Sequence, residues 1–154
     1  MIEPRRGNGM SIEFAEIKVG LELYESELVL RDAMLRRPLG MTLSAEDIAG
    51  DSKGWHFGAL IEHKVVACVI LFPESGGIAK LRQMAVAARL HRQGIGARLL
   101  TFAENEARAR GIRKIELNAR LIARAFYESA GYTAEGEIFE AVTIPHICMS
   151  KSIA

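Results

Sequence analysis

Residues 81–100 of the 154-residue chain read LRQMAVAARLHRQGIGARLL, and this stretch decides how the middle of the chain folds. Its first six residues have the character of a β-strand, and a loop follows them. Gly94-Ile95-Gly96 then begins a run whose apolar residues recur at helical spacing as far as Ala107. A short strand pattern follows over Lys114–Asn118. We therefore predict a strand–helix–strand unit, with a right-handed crossover and a locally parallel strand pair.

Strand and helix patterns extend this unit in both directions. Further strands are predicted at 11–19, 55–61, 65–72, 78–86, 132–140 and 142–149, and further helices at 21–35 and 121–130. Ser44 is the predicted N-cap of a short additional helix. The predicted fold class is α/β (α+β): one domain over residues 11–154, with a mixed, mostly antiparallel sheet and helices on both faces, after a flexible tail at residues 1–10.

Composition excludes several classes of protein. Apolar residues make up 49% and charged residues 25% of the chain, which excludes global disorder. The longest apolar run, Val65–Phe72, is far shorter than a membrane helix, and no apolar stretch follows the first residues as in a secretory signal. We therefore expect a cytoplasmic protein with no membrane partner. A net charge of +1 also argues against a nucleic-acid partner.

That small net charge hides a polarised chain. Residues 80–124 contain 11 basic and three acidic residues, a net charge of +8, so the remainder carries −7. The positive segment predicts an anionic partner for the middle of the chain. Glu135, Glu137 and Glu140 belong to the negative share and are compatible with a second, cationic ligand.

The cysteines and histidines form no metal-binding pattern. Cys68 and Cys148 each lie in an apolar strand-like run, which favours buried thiols in a reducing cytoplasm over a disulfide. The four histidines are scattered, without the spacing of a zinc site. We predict no metal.

The loop before the predicted helix has the character of an anion site. Glycines let a backbone approach a ligand, and the first N–H groups of a helix lack intrahelical partners. A Rossmann fingerprint fails because Leu99 replaces its third glycine, and a Walker A loop fails because Ala97-Arg98 follows Gly96. A tight turn without a ligand remains the alternative.

Two motifs resemble the GNAT superfamily of acetyl-CoA-dependent N-acetyltransferases. His91-Arg92-Gln93-Gly94-Ile95-Gly96 is similar to its Gln/Arg-x-x-Gly-x-Gly/Ala motif, with His91 at the first position. Leu117-Asn118-Ala119, followed by Ala125–Tyr132, resembles the family's next strand and its FYExxGY helix. The ending with Ile144-Pro145-His146 is similar to a bacterial subgroup, and the whole resemblance covers about residues 11–151.

The resemblance implies an acetyl-CoA cosubstrate in a gap between splayed strands. Its pantetheine arm would lie along Met84, Ala85 and Val86, with Asn118 near the sulfur. Capping of the following helix is the alternative role of Asn118. The pyrophosphate would lie on the loop residues His91, Arg92, Gln93, Gly94, Ile95, Gly96 and Ala97.

Tyr127 is the catalytic residue that the resemblance implies, as the general acid that protonates the CoA thiolate. A phenol pKa of about 10 and a thiol pKa of about 8.5 are compatible with that transfer. The alternative is a tyrosine whose ring packs beside Phe126 and whose hydroxyl is simply exposed to solvent.

Several residues are candidates for the acceptor side of the reaction. Gln83 could position a water, whereas His146 or Glu140 could accept the proton of the amine. Arg31 and His56 would line the acceptor pocket on subgroup similarity. His146 has a purely structural alternative, and Glu140 could be an ordinary surface carboxylate.

The sequence thus predicts an N-acetyltransferase in which a primary amine attacks the thioester directly within a ternary complex. The acceptor would be a small-molecule or peptide amine, and a homodimer is possible by family resemblance. The alternative is a non-catalytic acyl-CoA-binding or interaction module on the same fold.

Overall fold

The structure, a computed structural model, describes residues 11–154, and the tail predicted for residues 1–10 lies outside this range. The described chain contains seven strands, β1 (Glu13–Ile17), β2 (Trp55–Ile61), β3 (Lys64–Glu74), β4 (Ile78–Val86), β5 (Lys114–Arg120), β6 (Thr133–Ala141) and β7 (Ile144–Ser152). It also contains four α-helices, α1 (Glu22–Arg31), α2 (Ala45–Ile48), α3 (Ile95–Ala109) and α4 (Arg124–Ser129). The predicted strand–helix–strand unit is β4–α3–β5.

All seven strands form one sheet in the order β1-β2-β3-β4-β5-β7-β6. Every neighbouring pair is antiparallel except β4 and β5, which run parallel. The predicted fold, a mostly antiparallel sheet with one parallel pair, is confirmed. Glu62-His63 and Val142-Thr143 form two-residue turns in which all four residues have positive φ, as type I′ hairpins require. Val142, predicted to begin the last strand, therefore lies in a turn.

Helices cover both faces of the sheet. α3 packs on β2, β3 and β4, and its Leu99 and Leu100 are buried. Burial of a leucine side chain contributes about 1.5–3 kcal/mol, so this apolar stripe holds α3 in place. α1 packs on β3 and β4 from the other face, where Tyr24 and Leu30 join a second apolar cluster. Cover on both faces explains why the middle of β3 is entirely apolar.

The helix ends differ in detail from the predicted ones. The helix predicted over residues 21–35 ends its α-helical part at Arg31, and a π-helical turn then runs over Asp32–Arg36. The helix predicted over residues 121–130 is shorter, because a 3₁₀ turn precedes α4. Ser44 is confirmed as an N-cap: its hydroxyl accepts from the Asp47 N–H, and the Asp47 carboxylate accepts from the Ser44 N–H.

Two further observations bear on the predicted environment. Within residues 11–154, no helix has both the length and the apolar character needed to cross a bilayer. Both cysteines are free thiols; Cys68 is buried and Cys148 is partly exposed.

Candidate active site

The parallel strands β4 and β5 separate after three residue pairs. Ile78–Lys80 pairs with Lys114–Glu116, and the two strands then continue along their outer partners β3 and β7. A cavity of about 410 Å³ opens where they part. Its lining includes Gln83 and Met84 of β4, Asn118 of β5 and Tyr127 of α4. The splayed pair that the sequence predicts is therefore present.

A β-bulge in β4 bends the strand at the cavity. Cys68 pairs with Ala85 and Ile70 with Arg82, so one residue of β3 faces two residues of β4. Gln83 has φ +59°, and its carbonyl accepts a hydrogen bond from the Cys68 thiol at 3.3 Å. Bulges bend a strand and redirect its side chains. Gln83 and Met84, the two residues at the bulge, both line the cavity.

The start of α3 has the geometry of an anion site. Gly94 caps the helix at φ +80°, and the first helical hydrogen bond runs from the Arg98 N–H to the Gly94 carbonyl. The N–H groups of residues 95–97 therefore have no partner within the helix. A Cβ on Gly96 would lie 3.3 Å from the side chains of Val86 and Phe126, so glycine permits close packing there. The unpaired N–H groups and the helix dipole suit a pyrophosphate.

Side chains of this loop bond partly to the loop itself. His91 Nε2 lies 2.8 Å from the Val86 carbonyl oxygen, and the Gln93 amide donates to the Arg89 carbonyl at 3.2 Å. Arg92 is exposed and has φ +65°. It has no hydrogen bond or ion pair within residues 11–154, so its guanidinium is available to an anion.

The three β4 residues predicted along the pantetheine arm have different surroundings. Met84 lines the cavity. Ala85 is buried in the apolar cluster beneath α1, so its side chain faces away from α3. Val86 packs beside Gly96, and its carbonyl already accepts the bond from His91.

Tyr127 is buried in the wall of the cavity. The residue is only 6% exposed, and its ring makes edge contacts with Phe126 and Tyr132 at centroid distances of 5.0 and 5.7 Å. Its hydroxyl has no hydrogen-bond partner within the described chain. Burial raises the pKa of Tyr127 above its usual value. The hydroxyl therefore keeps its proton at neutral pH, although its pKa is less well matched to a thiol than the sequence predicts.

Asn118 lines the same cavity and has an exposed side chain. The alternative role of helix capping is not observed, because neither the 3₁₀ turn at Leu121–Ala123 nor α4 has a side-chain cap. Asn118 is thus available to a ligand.

A buried network of charged side chains lies on the α1 side of the sheet. Arg31 Nη1 donates to Glu27 at 3.0 Å and to Asp51 at 2.7 Å. The Tyr24 hydroxyl donates to the same Asp51 carboxylate at 2.6 Å. His56 Nδ1 lies 2.9 Å from the Glu27 carboxylate, and its Nε2 lies 2.8 Å from the Asp51 carbonyl oxygen.

The contacts of His56 define its charge. Both ring nitrogens face acceptors, so both must donate and the ring is an imidazolium. Burial lowers the pKa of His56, but its hydrogen bond to Glu27 and the charge of that carboxylate outweigh burial, and the pKa is raised overall. Two cations and two carboxylates then leave the network with no net charge. Such pairing is what buried charges require.

The same network has the spacing of a metal site. Ligand atoms of Glu27, Asp51 and His56 lie within 4.8 Å of one another. The Arg31 guanidinium donates to both carboxylates, however, and so supplies the positive charge that a cation would otherwise bring.

One hydrogen bond joins this network to the cavity. Arg31 Nε donates to Gln83 Oε1 at 3.2 Å, and Gln83 lines the cavity. Arg31 and His56 are themselves 0% and 1% exposed and are not part of the lining. The prediction that these two residues line the acceptor pocket is therefore corrected, because both are buried within the network and, of the two, only Arg31 contacts Gln83.

The two candidate proton acceptors near the β6–β7 hairpin differ in position. His146 lines the cavity, and its Nδ1 lies 2.7 Å from the Ile144 carbonyl oxygen. Nδ1 therefore carries a hydrogen, and the neutral ring has its lone pair on Nε2. Glu140 is exposed and lies outside the lining, to which the hairpin contributes Ala141 and Val142 instead. The predicted place of Glu140 in the acceptor pocket is corrected accordingly.

The sequence predicted a positive segment at residues 80–124 but did not assign its charge to the wall of the cavity. Basic side chains from three elements contribute to the lining: Arg36, Lys80, Arg82 and Arg120. The alternation of polar and apolar residues along β4 and β5 contained the signal, since it places the polar residues of each strand on one face. The sequence also did not predict the buried network. Only the i,i+4 spacing of Glu27 and Arg31 is visible in the sequence.

A family comparison agrees with this geometry. The family model described as "Acetyltransferase (GNAT) domain" matches residues 42–153, well over half of the chain. The chain belongs to the GNAT acetyltransferase family. The subgroup suggested by Ile144-Pro145-His146 stays a prediction.

Individual relatives of this GNAT chain are distant. The uncharacterized protein YyaT of Bacillus subtilis (strain 168) is 27% identical over 79 residues, or 51% of this chain and 53% of YyaT. The chain thus matches about half the length of that relative.

Solved structures share the fold over nearly the whole chain. A candidate N-acetyltransferase from Lactobacillus plantarum has a TM-score of 0.82 and 22% identity, covering 94% of this chain and 99% of its own. A GNAT family acetyltransferase from Elizabethkingia anophelis with acetyl-CoA bound has a TM-score of 0.70 and 18% identity, covering 92% and 97%. At these identities, the structures establish the fold.

Proposed function

We propose that this GNAT protein is an N-acetyltransferase that moves the acetyl group of acetyl-CoA to a primary amine. The observation that carries this proposal is the separation of β4 from β5, which opens a cavity whose lining includes Tyr127, Gln83 and His146. The unpaired N–H groups at residues 95–97 fit the pyrophosphate of CoA. Family membership and the acetyl-CoA-bound relative support the same donor.

The reaction needs two proton transfers, and the cavity supplies a group for each. The amine lone pair attacks the thioester carbonyl and forms the new C–N bond, and the intermediate then collapses with loss of the C–S bond. The departing thiolate takes the proton of Tyr127, which burial keeps protonated at neutral pH. The attacking nitrogen gives up a proton to His146 Nε2, directly or through a water positioned by Gln83.

Tyr127→Phe tests the general acid. We expect kcat to fall by roughly 10²–10⁴ while the Kd for acetyl-CoA stays within about twofold, because only a hydroxyl without a protein partner is lost. The measurements are thiol release for kcat and isothermal titration for Kd. Unchanged turnover would remove Tyr127 from its role.

Tyr132→Phe is the matched control. Tyr132 is also buried, but its hydroxyl donates to Glu104 at 2.9 Å and it does not line the cavity. This substitution should reduce the stability of the fold and leave kcat near that of the unmodified protein. Acetyl-CoA binding without turnover on any amine of a broad panel would favour the non-catalytic module instead.

A further inference from the structure

The wall of the cavity is strongly one-sided in charge. Its lining contains four basic residues and, within residues 11–154, no aspartate or glutamate. Amines are cations at neutral pH, and a pocket that selects for them by charge would be expected to present a carboxylate.

Two of these four cations are already neutralised by the protein. Lys80 Nζ lies 3.2 Å from a Glu116 carboxylate oxygen. Arg36 forms a two-pronged pair with Asp47, at 3.2 and 2.7 Å. Their positive charges are therefore largely neutralised within the protein itself.

The remaining two cations have hydrogen-bond donors that the described chain does not use. Arg82 has no ion pair and no side-chain hydrogen bond within the described chain. Arg120 has no carboxylate partner there either, and it donates one long bond, at 3.5 Å, to the Leu35 carbonyl. Each guanidinium has five N–H donors in a planar fork that matches carboxylate and phosphate oxygens.

Both arginines lie on the face of the sheet away from α3. Their strand neighbours Leu81 and Ala119 are buried in the core under α3 and α4, so alternation directs Arg82 and Arg120 to the other face. Arg120 pairs in register with His146 of β7, the candidate base. The proposed pyrophosphate site belongs to the N-terminus of α3, on the opposite face. These arginines are thus placed for the acceptor rather than for the diphosphate.

We propose that the acceptor is an amine that also carries an anionic oxygen group, a carboxylate or a phosphate, held by Arg82 and Arg120. This inference rests on the N-acetyltransferase function proposed above and specifies its substrate class. The cations have a second effect, because nearby positive charge disfavours the ammonium form and lowers the pKa of the bound amine. A neutral nucleophile then forms without a carboxylate base.

The same wall argues against the cationic acceptor suggested by the sequence. Of the three glutamates considered for it, none lines the cavity. Glu135 accepts a hydrogen bond from Ser150 at 2.7 Å, and Glu137 and Glu140 are exposed.

Matched acceptor pairs test the proposal. One pair is a set of free amino acids against their amides, and the other is an aminoalkyl phosphate against the corresponding amino alcohol. We expect kcat/KM to favour the anionic member of at least one pair by about tenfold or more, the effect of one charge-assisted hydrogen bond. The pair that shows the preference identifies the group as carboxylate or phosphate.

Arginine variants link that preference to the site. Arg82→Met and Arg120→Met should each reduce it by about tenfold through KM for the anionic acceptor, leaving KM for acetyl-CoA unchanged. Arg37→Met, outside the cavity, is the control and should keep the full preference. An increase in KM for acetyl-CoA with the preference intact would assign the arginines to the cofactor and overturn the proposal.

The two proposals fail in different ways. Thiol release with every acceptor but equal rates within both pairs would keep the acetyltransferase and refute the anionic acceptor. Absence of thiol release with all acceptors would refute the enzyme itself. Titration of the anionic amines into the CoA-bound protein gives a readout independent of turnover, and it should show weaker binding in both arginine variants.

Discussion

Two groups of charged side chains lie on the same side of the sheet and differ in how far their charges are neutralised by other side chains. The network around Arg31 is buried and contains two cations and two carboxylates within hydrogen-bonding distance. The cavity wall is open to solvent, and its Arg82 and Arg120 have no carboxylate partner within residues 11–154. The first group is complete as it stands, whereas the second has donors left over.

The difference follows from the cost of removing charge from water. A buried guanidinium without a partner costs several kcal/mol, so the fold must supply its counterions. A partly exposed guanidinium keeps its hydration and can exchange water for a ligand. Complete pairing therefore indicates a structural role, and incomplete pairing in a cavity indicates a binding role.

Removal of one partner from the buried network should have the largest effect on stability. We expect Arg31→Met to lower the free energy of unfolding by about 3–5 kcal/mol, because Glu27 and Asp51 lose their shared cation. Urea denaturation provides the measurement. Arg37→Met is the control, since the Arg37 side chain is 65% exposed and its pair with Asp32 lies at the surface. The control should change stability by about 1 kcal/mol at most, and a similarly small effect of Arg31→Met would refute the comparison.

The charge of His56 should make stability depend on pH. The pKa of His56 is raised in the folded protein. The stabilisation that its charge provides is therefore complete below the pKa of the unfolded chain, about 6.5, and is lost as pH rises through the pKa of the folded protein. We expect the unfolding free energy to fall above pH 6.5 with a slope of up to about 1.4 kcal/mol per pH unit.

Denaturation in urea at a series of pH values measures this slope. His56→Gln should abolish it in that range, whereas His63→Gln, in the exposed β2–β3 turn, should retain it. A slope that persists in His56→Gln would assign the titration to another group.

The cavity arginines should have the smallest effect on stability. Arg82→Met and Arg120→Met should each change the unfolding free energy by about 0.5 kcal/mol or less, because neither side chain has a carboxylate partner among residues 11–154 to lose. The measurement is the same urea titration. A loss comparable to that of Arg31→Met would show that these residues hold the fold, and the two regions would then no longer differ.

Much of the fold can be read from local patterns. The bounds of β2 and β4 agree with prediction, since apolar alternation and flanking turn residues act over neighbouring positions. Gly94 and Gly96 mark the start of α3, because a positive φ favours glycine at 94 and the close approach of Val86 and Phe126 favours it at 96. The extent of α4 is less predictable, because whether a chain turns as 3₁₀ or α-helix there depends on packing against β5 and β6.

The candidate site can be read only in part. The residues of the loop proposed to bind the pyrophosphate are contiguous, so the loop was visible as a motif. Arg31, Asp51 and His56 come from separate elements, and their short distances arise only once α1 packs on the sheet. Resemblance placed Arg31 and His56 near the acceptor, but burial behind Gln83 depends on which side chains cover them.

The sequence by itself determined the strand–helix–strand unit, the glycine-containing loop proposed to bind the pyrophosphate and the concentration of positive charge in residues 80–124, because each depends on residues close together in the chain. The tertiary structure decided which of those charges are neutralised. Lys80 meets Glu116 across the parallel pair, whereas Arg82, two residues later, meets no carboxylate of the described chain. The two strands are no longer paired there, and the residue of β5 two positions after Glu116 is Asn118, an amide. Charge pairing depends on distances of a few ångströms between side chains on different strands, and the order of residues along the chain does not specify those distances.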